Sequence, residues 1–193
     1  MKKAIRTEYA EKGVEKYYQT QANSYENPHV EYVKTLLEQN QHRLDYSKTL
    51  DLACGGGEVT LILRGLGFDN TTGCDPFTGR LFEKNVGTKC LKYSFDDIVS
   101  GKFSVKTQNP ETLKSNQSVM FSTIICSFAM HLCAEKQLFP LVARLFLLTE
   151  TIVIITPHKR PELEKLANAR LLFADFTLTE RGKKVFLKAY GGV

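Results

Sequence analysis

The stretch KTLDLACGGGEVTLIL, residues 48–63, decides the fold. Thr49 to Ala53 is a short apolar run of strand length, and Gly55-Gly56-Gly57 breaks it. Glu58 to Gly65 then carries apolar residues at helical spacing, so the order is strand, glycine turn, helix. A turn without side chains lets a ligand approach the backbone, and the amides opening the next helix can face an anion or carboxylate. Read alone, the same run is better explained as a tight connection chosen for its turn geometry.

Outward from this unit the alternation continues. Thr71 to Cys74, Lys89 to Tyr93, Phe121 to Cys126 and Glu150 to Thr156 read as further strands. Glu58 to Gly65, Thr78 to Val86, Ala134 to Leu148 and Pro161 to Ala169 read as helices between them. Such alternation predicts an α/β fold whose parallel sheet carries helices on both faces. The rhythm breaks at the end. Leu171 to Leu178 and Lys183 to Tyr190 are separated only by Glu180-Arg181-Gly182, which predicts an antiparallel hairpin on one sheet edge. The expected core is therefore a Rossmann-like, mostly parallel sheet of seven strands. Ahead of it, Glu8 to Gln21 and Pro28 to Gln39 have helical spacing, with Asn27-Pro28 as cap and first-turn residue between them. Residues 100–118 read as a polar surface excursion.

With 193 residues the chain suits a single domain, here an N-terminal helical lid or cap over 1–46 and a core over 47–193. No apolar run reaches the roughly 20 residues of a membrane span. The start, with Lys2, Lys3 and Arg6 followed by polar and tyrosine-rich sequence, lacks a secretory signal pattern, so a cytoplasmic location is expected. Five cysteines, an odd number without a CxxC pair, sit mostly in apolar runs. They read as reduced, buried thiols, and no metal site is expected. The formal charge of +5 is compatible with an anionic substrate or RNA and demands neither.

Asp75 in TGCDPF lies at the end of the second strand, 18 residues after Gly57 and near the spacing of about 20 at which a nucleotide-binding fold places an acid on ribose hydroxyls. A solvated turn aspartate before Pro76 is the alternative. DLACGGG, GCDPF, SFDDI (Ser94 to Ile98) and FSTIICSFAMHL (Phe121 to Leu132), in this order, resemble the successive motifs of class I S-adenosylmethionine-dependent methyltransferases. The resemblance covers Lys48 to Tyr190, and the final hairpin agrees with that fold. CSFAMHL with TPHKRPE is similar to a poorly characterised group of small fungal-type methyltransferases. An NAD-binding protein is the more distant reading, since Glu58-Val59-Thr60 follow Gly57 in place of a GxGxxG pattern.

The resemblance implies S-adenosylmethionine (SAM) as methyl donor and S-adenosylhomocysteine (SAH) as product. It places Asp51 at the methionine end of the donor, directly or through water, with the backbone of Ala53, Gly55 and Gly57 along its path. Asp75 would hold the ribose, Phe77 or Phe95 would flank the adenine, and Asp96 would accept from its amino group. Cys126 at the end of the fourth strand completes the expected donor site. Ala53 stands where many members have Gly.

The acceptor should meet the methyl group beyond the carboxyl end of that strand. An Asn/Asp-Pro-Pro-aromatic motif, usual for planar amide or adenine nitrogens, is replaced by CSFA, which argues against such acceptors. His131 and His158 are candidate general bases, since an imidazole is largely neutral at cytosolic pH; for His131 the competing role is packing at a helix start. Lys159 and Arg160 are candidates to hold a substrate carboxylate or phosphate, against a solvated basic turn. Tyr18 and Tyr25 precede the first strand, where related enzymes place a lid, and helix packing is their alternative. The sequence favours methyl transfer to an O, N or S atom of a small molecule. RNA or protein acceptors, or a non-catalytic SAM-binding scaffold, are the other readings, and oligomeric state is not legible.

Overall fold

The computed structural model describes residues 29–103, 120–158 and 160–193. The expected first helix, the Asn27-Pro28 cap, Tyr18, Tyr25, Lys159 and most of the polar excursion lie outside these residues.

Seven strands form one sheet in the order β3-β2-β1-β4-β5-β7-β6. They are β1 (Thr49–Leu52), β2 (Thr71–Cys74), β3 (Cys90–Leu91), β4 (Thr123–Ser127), β5 (Thr151–Thr156), β6 (Ala169–Leu178) and β7 (Lys184–Gly192). The first five run parallel, and β7 inserts antiparallel between β5 and β6. The helices are α1 (Val30–Gln39), α2 (Glu58–Gly65), α3 (Gly79–Val86), α4 (Phe95–Val99) and α5 (Glu135–Phe146). This is the expected mostly parallel sheet with its terminal antiparallel hairpin.

Central parallel strands are covered on both faces, so they read as continuous apolar runs, and all four residues of β1 are buried. Leu50, Leu52, Ile124, Cys126, Ile152 and Ile154 point to the face packed by α5 through Leu141, Val142 and Leu145. Ile125, Val153 and Ile155 point to the opposite face, under Val33, Leu36 and Leu37 of α1 and Val59 and Leu63 of α2. A Cβ at Gly73 on β2 would stand 2.4 Å from the Phe82 ring of α3, so that glycine lets α3 lie flush on the sheet.

Two expectations change. The helix expected over Pro161 to Ala169 is a single 3-10 turn at Leu163–Lys165. Leu163 is buried there, and Glu164 accepts from Tyr190 Oη at 2.8 Å and from Lys188 Nζ at 3.1 Å, pulling the segment flat onto β7. Those anchors compete with the regular i to i+4 ladder, and β6 starts at Ala169, too soon for a longer helix. The strand expected over Lys89 to Tyr93 pairs only at Cys90 and Leu91. Ser94 then caps α4: its hydroxyl accepts from Asp97 N–H at 3.1 Å, while Asp97 accepts from Ser94 N–H at 3.0 Å. This reciprocal box starts a helix where the strand could have run on, and the Ser94 hydrogen bonds hold the half-buried Asp97 carboxyl below its usual range.

Candidate functional site

Parallel strands deliver their carboxyl ends to one edge of the sheet, and a cavity of about 270 Å³ opens there, above β1, β2 and β4. The chain leaves β1 through Ala53, whose φ is +56°, and Gly55 at +55° and Gly57 at +91° follow. This left-handed passage costs a residue with a Cβ roughly 1–2 kcal/mol. It turns the backbone sharply enough for Gly57 N–H to donate to Cys54 O at 2.8 Å and for α2 to begin at once.

Ala53 and Gly55 line the cavity. Gly57 is not among the lining residues; its missing side chain faces α3, where a Cβ would meet Val86 Cγ2 at 2.3 Å. Asp51 and Cys126 also lie behind the cavity wall, both buried. Asp51 Oδ2 accepts from Thr60 Oγ1 at 2.8 Å and Thr60 N–H at 3.2 Å, tying β1 to α2. Burial is the main cause that pushes its carboxyl up to about 8, and burial likewise raises the Cys126 thiol.

Asp75, Phe77, Phe95 and Asp96 all line the cavity. Asp75 is nearly buried, and its Oδ1 accepts from the N–H groups of Phe77 and Thr78, each at 2.8 Å. That closes the turn into α3 and leaves Oδ2 toward Gly55 N–H, at a long 3.4 Å. Asp96 Oδ1 accepts from Gln137 Nε2 on α5, which also lines the cavity.

Several wall residues were not singled out in the sequence: Tyr93, Ser94, Ser127, Phe128, Leu132 and Cys133. The S-x-x-D spacing of Ser94 and Asp97 was a readable signal, whereas Ser127 and Phe128 sit inside an apolar run without one. The Ser127 hydroxyl is buried with no hydrogen-bond partner among the described residues. Phe128 has φ +55°, uncommon for a bulky side chain. Its N–H donates to Ile155 O at 2.8 Å, and its ring stacks on His29, centroids 4.9 Å apart and planes 9° from parallel. Burial pushes the Cys133 thiol up to about 11, so it stays protonated at neutral pH.

His131 and His158 come together, ring centroids 5.1 Å apart and edge to face, but neither lines the cavity. Arg160 is exposed on the same connection. Among the described residues no group of three or more His, Cys, Asp or Glu is placed to hold a metal, and no helix is long and apolar enough to cross a membrane.

No family model matches the sequence. The chain is 28% identical to an uncharacterised protein of Schizosaccharomyces pombe, over 83% of this chain and 77% of that one. Among solved structures it resembles a SAM-dependent methyltransferase from Anabaena variabilis, with a TM-score of 0.65 at 12% identity, covering 93% of each chain. The magnesium protoporphyrin IX methyltransferase of Synechocystis PCC 6803 with bound SAM gives 0.59 at 11% identity over 97% of this chain and 95% of that one. The fold is that of the class I methyltransferases. A putative RNA methyltransferase from Pyrococcus horikoshii also shares this methyltransferase fold, at a TM-score of 0.57 and 13% identity over 90% of both chains.

Proposed function

We propose that the chain is a SAM-dependent methyltransferase whose donor occupies the cavity above β1, β2 and β4. The observation that carries this reading is the cavity wall itself. It offers a glycine-loop backbone without bulky side chains, an Asp75 carboxylate whose Oδ2 is held only by a long 3.4 Å contact from Gly55 N–H, and flat apolar walls at Phe77, Tyr93 and Phe95. The buried Ser127 hydroxyl, lacking a protein partner among the described residues, is a further polar group for a ligand to satisfy. This donor set fits a nucleoside with a polar tail.

In this reading Asp75 accepts from the ribose hydroxyls, Asp96 from the adenine amino group, and Phe77 and Phe95 flank the ring. Ala53 and Gly55 border the methionine arm. Asp51, Gly57 and Cys126 act from behind the wall, by holding the loop and strand ends in place. When bound, SAM supplies a methyl group on a cationic sulfur, which an acceptor lone pair displaces to leave neutral SAH. The protein's part is to align the two, exclude water and take up a proton where the acceptor carries one.

A cavity of this size falls just below the range of small-ligand pockets, roughly 300–1,000 Å³. It suits one ligand, and the acceptor approaches at the rim by Phe128, Ala129 and Leu132. We favour a small-molecule acceptor for that concave, apolar approach. His131 and His158 stand near this rim as the proposed proton acceptors, with Arg160 as a contact for an acidic group.

Isothermal titration with SAM and SAH tests the premise, and saturable binding of both is expected. Absence of binding at millimolar ligand would overturn it. Labelled methyl transfer followed in a cell extract, fractionated into metabolites, RNA and protein, then reads the acceptor class. Label in the metabolite fraction is expected; label confined to RNA or protein replaces the small-molecule reading, and tight donor binding without label favours a scaffold.

A further inference from the structure

Phe128 packs partly against the core beneath α1 and α2 and combines three further features. Its backbone is held left-handed at φ +55°, a conformation that persists in a bulky residue only where the surroundings enforce it. It lines the cavity at the carboxyl end of β4. One face of its ring is covered by His29 at 4.9 Å, and Tyr32 stands 5.9 Å from His29 behind it.

The sheet order fixes which end of a donor reaches this ring. Phe77, Phe95 and Asp96 lie at the β2 and β3 side, while Ala53, Ser127 and Phe128 lie where β1 and β4 end side by side. A ligand with its adenine on the first set therefore brings its sulfur toward the second. Resting on the donor reading above, we propose that the ring face of Phe128 turned away from His29 is a cation platform for the donor's sulfonium, so that the site distinguishes SAM from SAH by charge.

The negative face of an aromatic ring attracts a cation and gives no such return to a neutral thioether. His29 is suited to back it, because burial disfavours the charged form of its imidazole. The consequence is turnover. SAM and SAH share the adenosine and the amino-acid tail, so contacts to those parts retain both equally. A ring that senses only the charge favours the donor and lets the spent product leave. Because this attraction is strongest to the full charge of the bound donor and fades as the methyl group leaves, it favours donor binding and does not lower the methyl-transfer barrier.

The test is the ratio of SAH to SAM dissociation constants, measured by calorimetry on the full chain. Phe128→Leu should weaken SAM about ten-fold and leave SAH within two-fold. Since Leu at a left-handed position could disturb folding, 3,4,5-trifluorophenylalanine in place of Phe128 provides the second measurement. It keeps the ring shape and drains its negative face, so SAM affinity should fall several-fold with SAH unchanged, and Phe128→Tyr should retain both. Equal losses for the two ligands, or an unchanged ratio in the fluorinated protein, would overturn the charge-sensing role while leaving the donor site intact. Failure of the wild type to bind either ligand would overturn the donor reading together with this one.

Discussion

Replacing Gly57 by Ala tests how the glycine loop is built. The new Cβ would stand 2.3 Å from Val86 Cγ2 and 3.1 Å from Phe82 Cδ2, on a residue whose φ is +91°. The backbone term costs about 1–2 kcal/mol, and forcing a methyl into a packed contact costs about 1–3 kcal/mol more. Reduced freedom of the unfolded chain returns about 0.4–1 kcal/mol, leaving a net loss of about 3 kcal/mol. For a chain of this length each kcal/mol lowers Tm by about 2–4 °C, so thermal unfolding should shift down by about 6–12 °C. The two causes separate in a double-mutant cycle with Val86→Ala, which removes the offending methyl but not the backbone strain. The double variant should be more stable than the sum of the singles by about 1–3 kcal/mol. Additivity within about 0.5 kcal/mol, or an unchanged Tm for Gly57→Ala, would show that the loop does not press against α3 as described.

Ala53→Gly goes the other way: at φ +56° the loss of strain outweighs the added chain entropy, and Tm should rise by about 2 °C; a fall of more than that refutes the assignment. Asp51 is pushed up to about 8, so the unfolded chain releases its proton near pH 4 while the folded chain keeps it. Stability from this group is therefore full below about pH 4 and declines, by up to about 1.4 kcal/mol per pH unit, until pH 8. Asp51→Asn, which still accepts from Thr60, should flatten that slope in urea titrations at pH 5 and 8, and an unaltered slope would argue against a protonated Asp51. Asp75→Asn should keep the turn hydrogen bonds from Phe77 and Thr78 and lose the long Gly55 contact, yet weaken SAM at least ten-fold because a charged acceptor is lost; unchanged affinity in calorimetry removes Asp75 from the donor site.

Chain-level architecture was legible because it rests on period and punctuation. Ile124 to Cys126 and Ile152 to Ile155 are buried on both faces and show as unbroken apolar runs, and a two-sided burial requirement leaves few other ways to write a strand. Asp75 was legible because its place at a strand end is fixed by chain spacing. The 3-10 turn after β5 was not, since Leu163 and Glu164 are set by Tyr190 and Lys188 more than twenty residues on. Phe128 was hidden for a different reason. A left-handed backbone leaves no mark in composition when the residue adopting it is apolar and sits in an apolar run. The meeting of His131 and His158 depends on β4 and β5 being neighbours in register, a property of the sheet and not of either segment.

The hydrogen bonds from Phe77 and Thr78 to Asp75 make one rigid bracket of the residues proposed to contact two parts of the same ligand. A carboxylate already fixed by its own turn loses little rotational freedom when a hydroxyl arrives, so association should be limited by approach and not by local reordering. It also means that the ribose and adenine contacts are not separable quantities. Disturbing Asp75 releases the backbone that carries the Phe77 ring, and the two residues should behave in any energetic dissection as a single unit with strong mutual coupling.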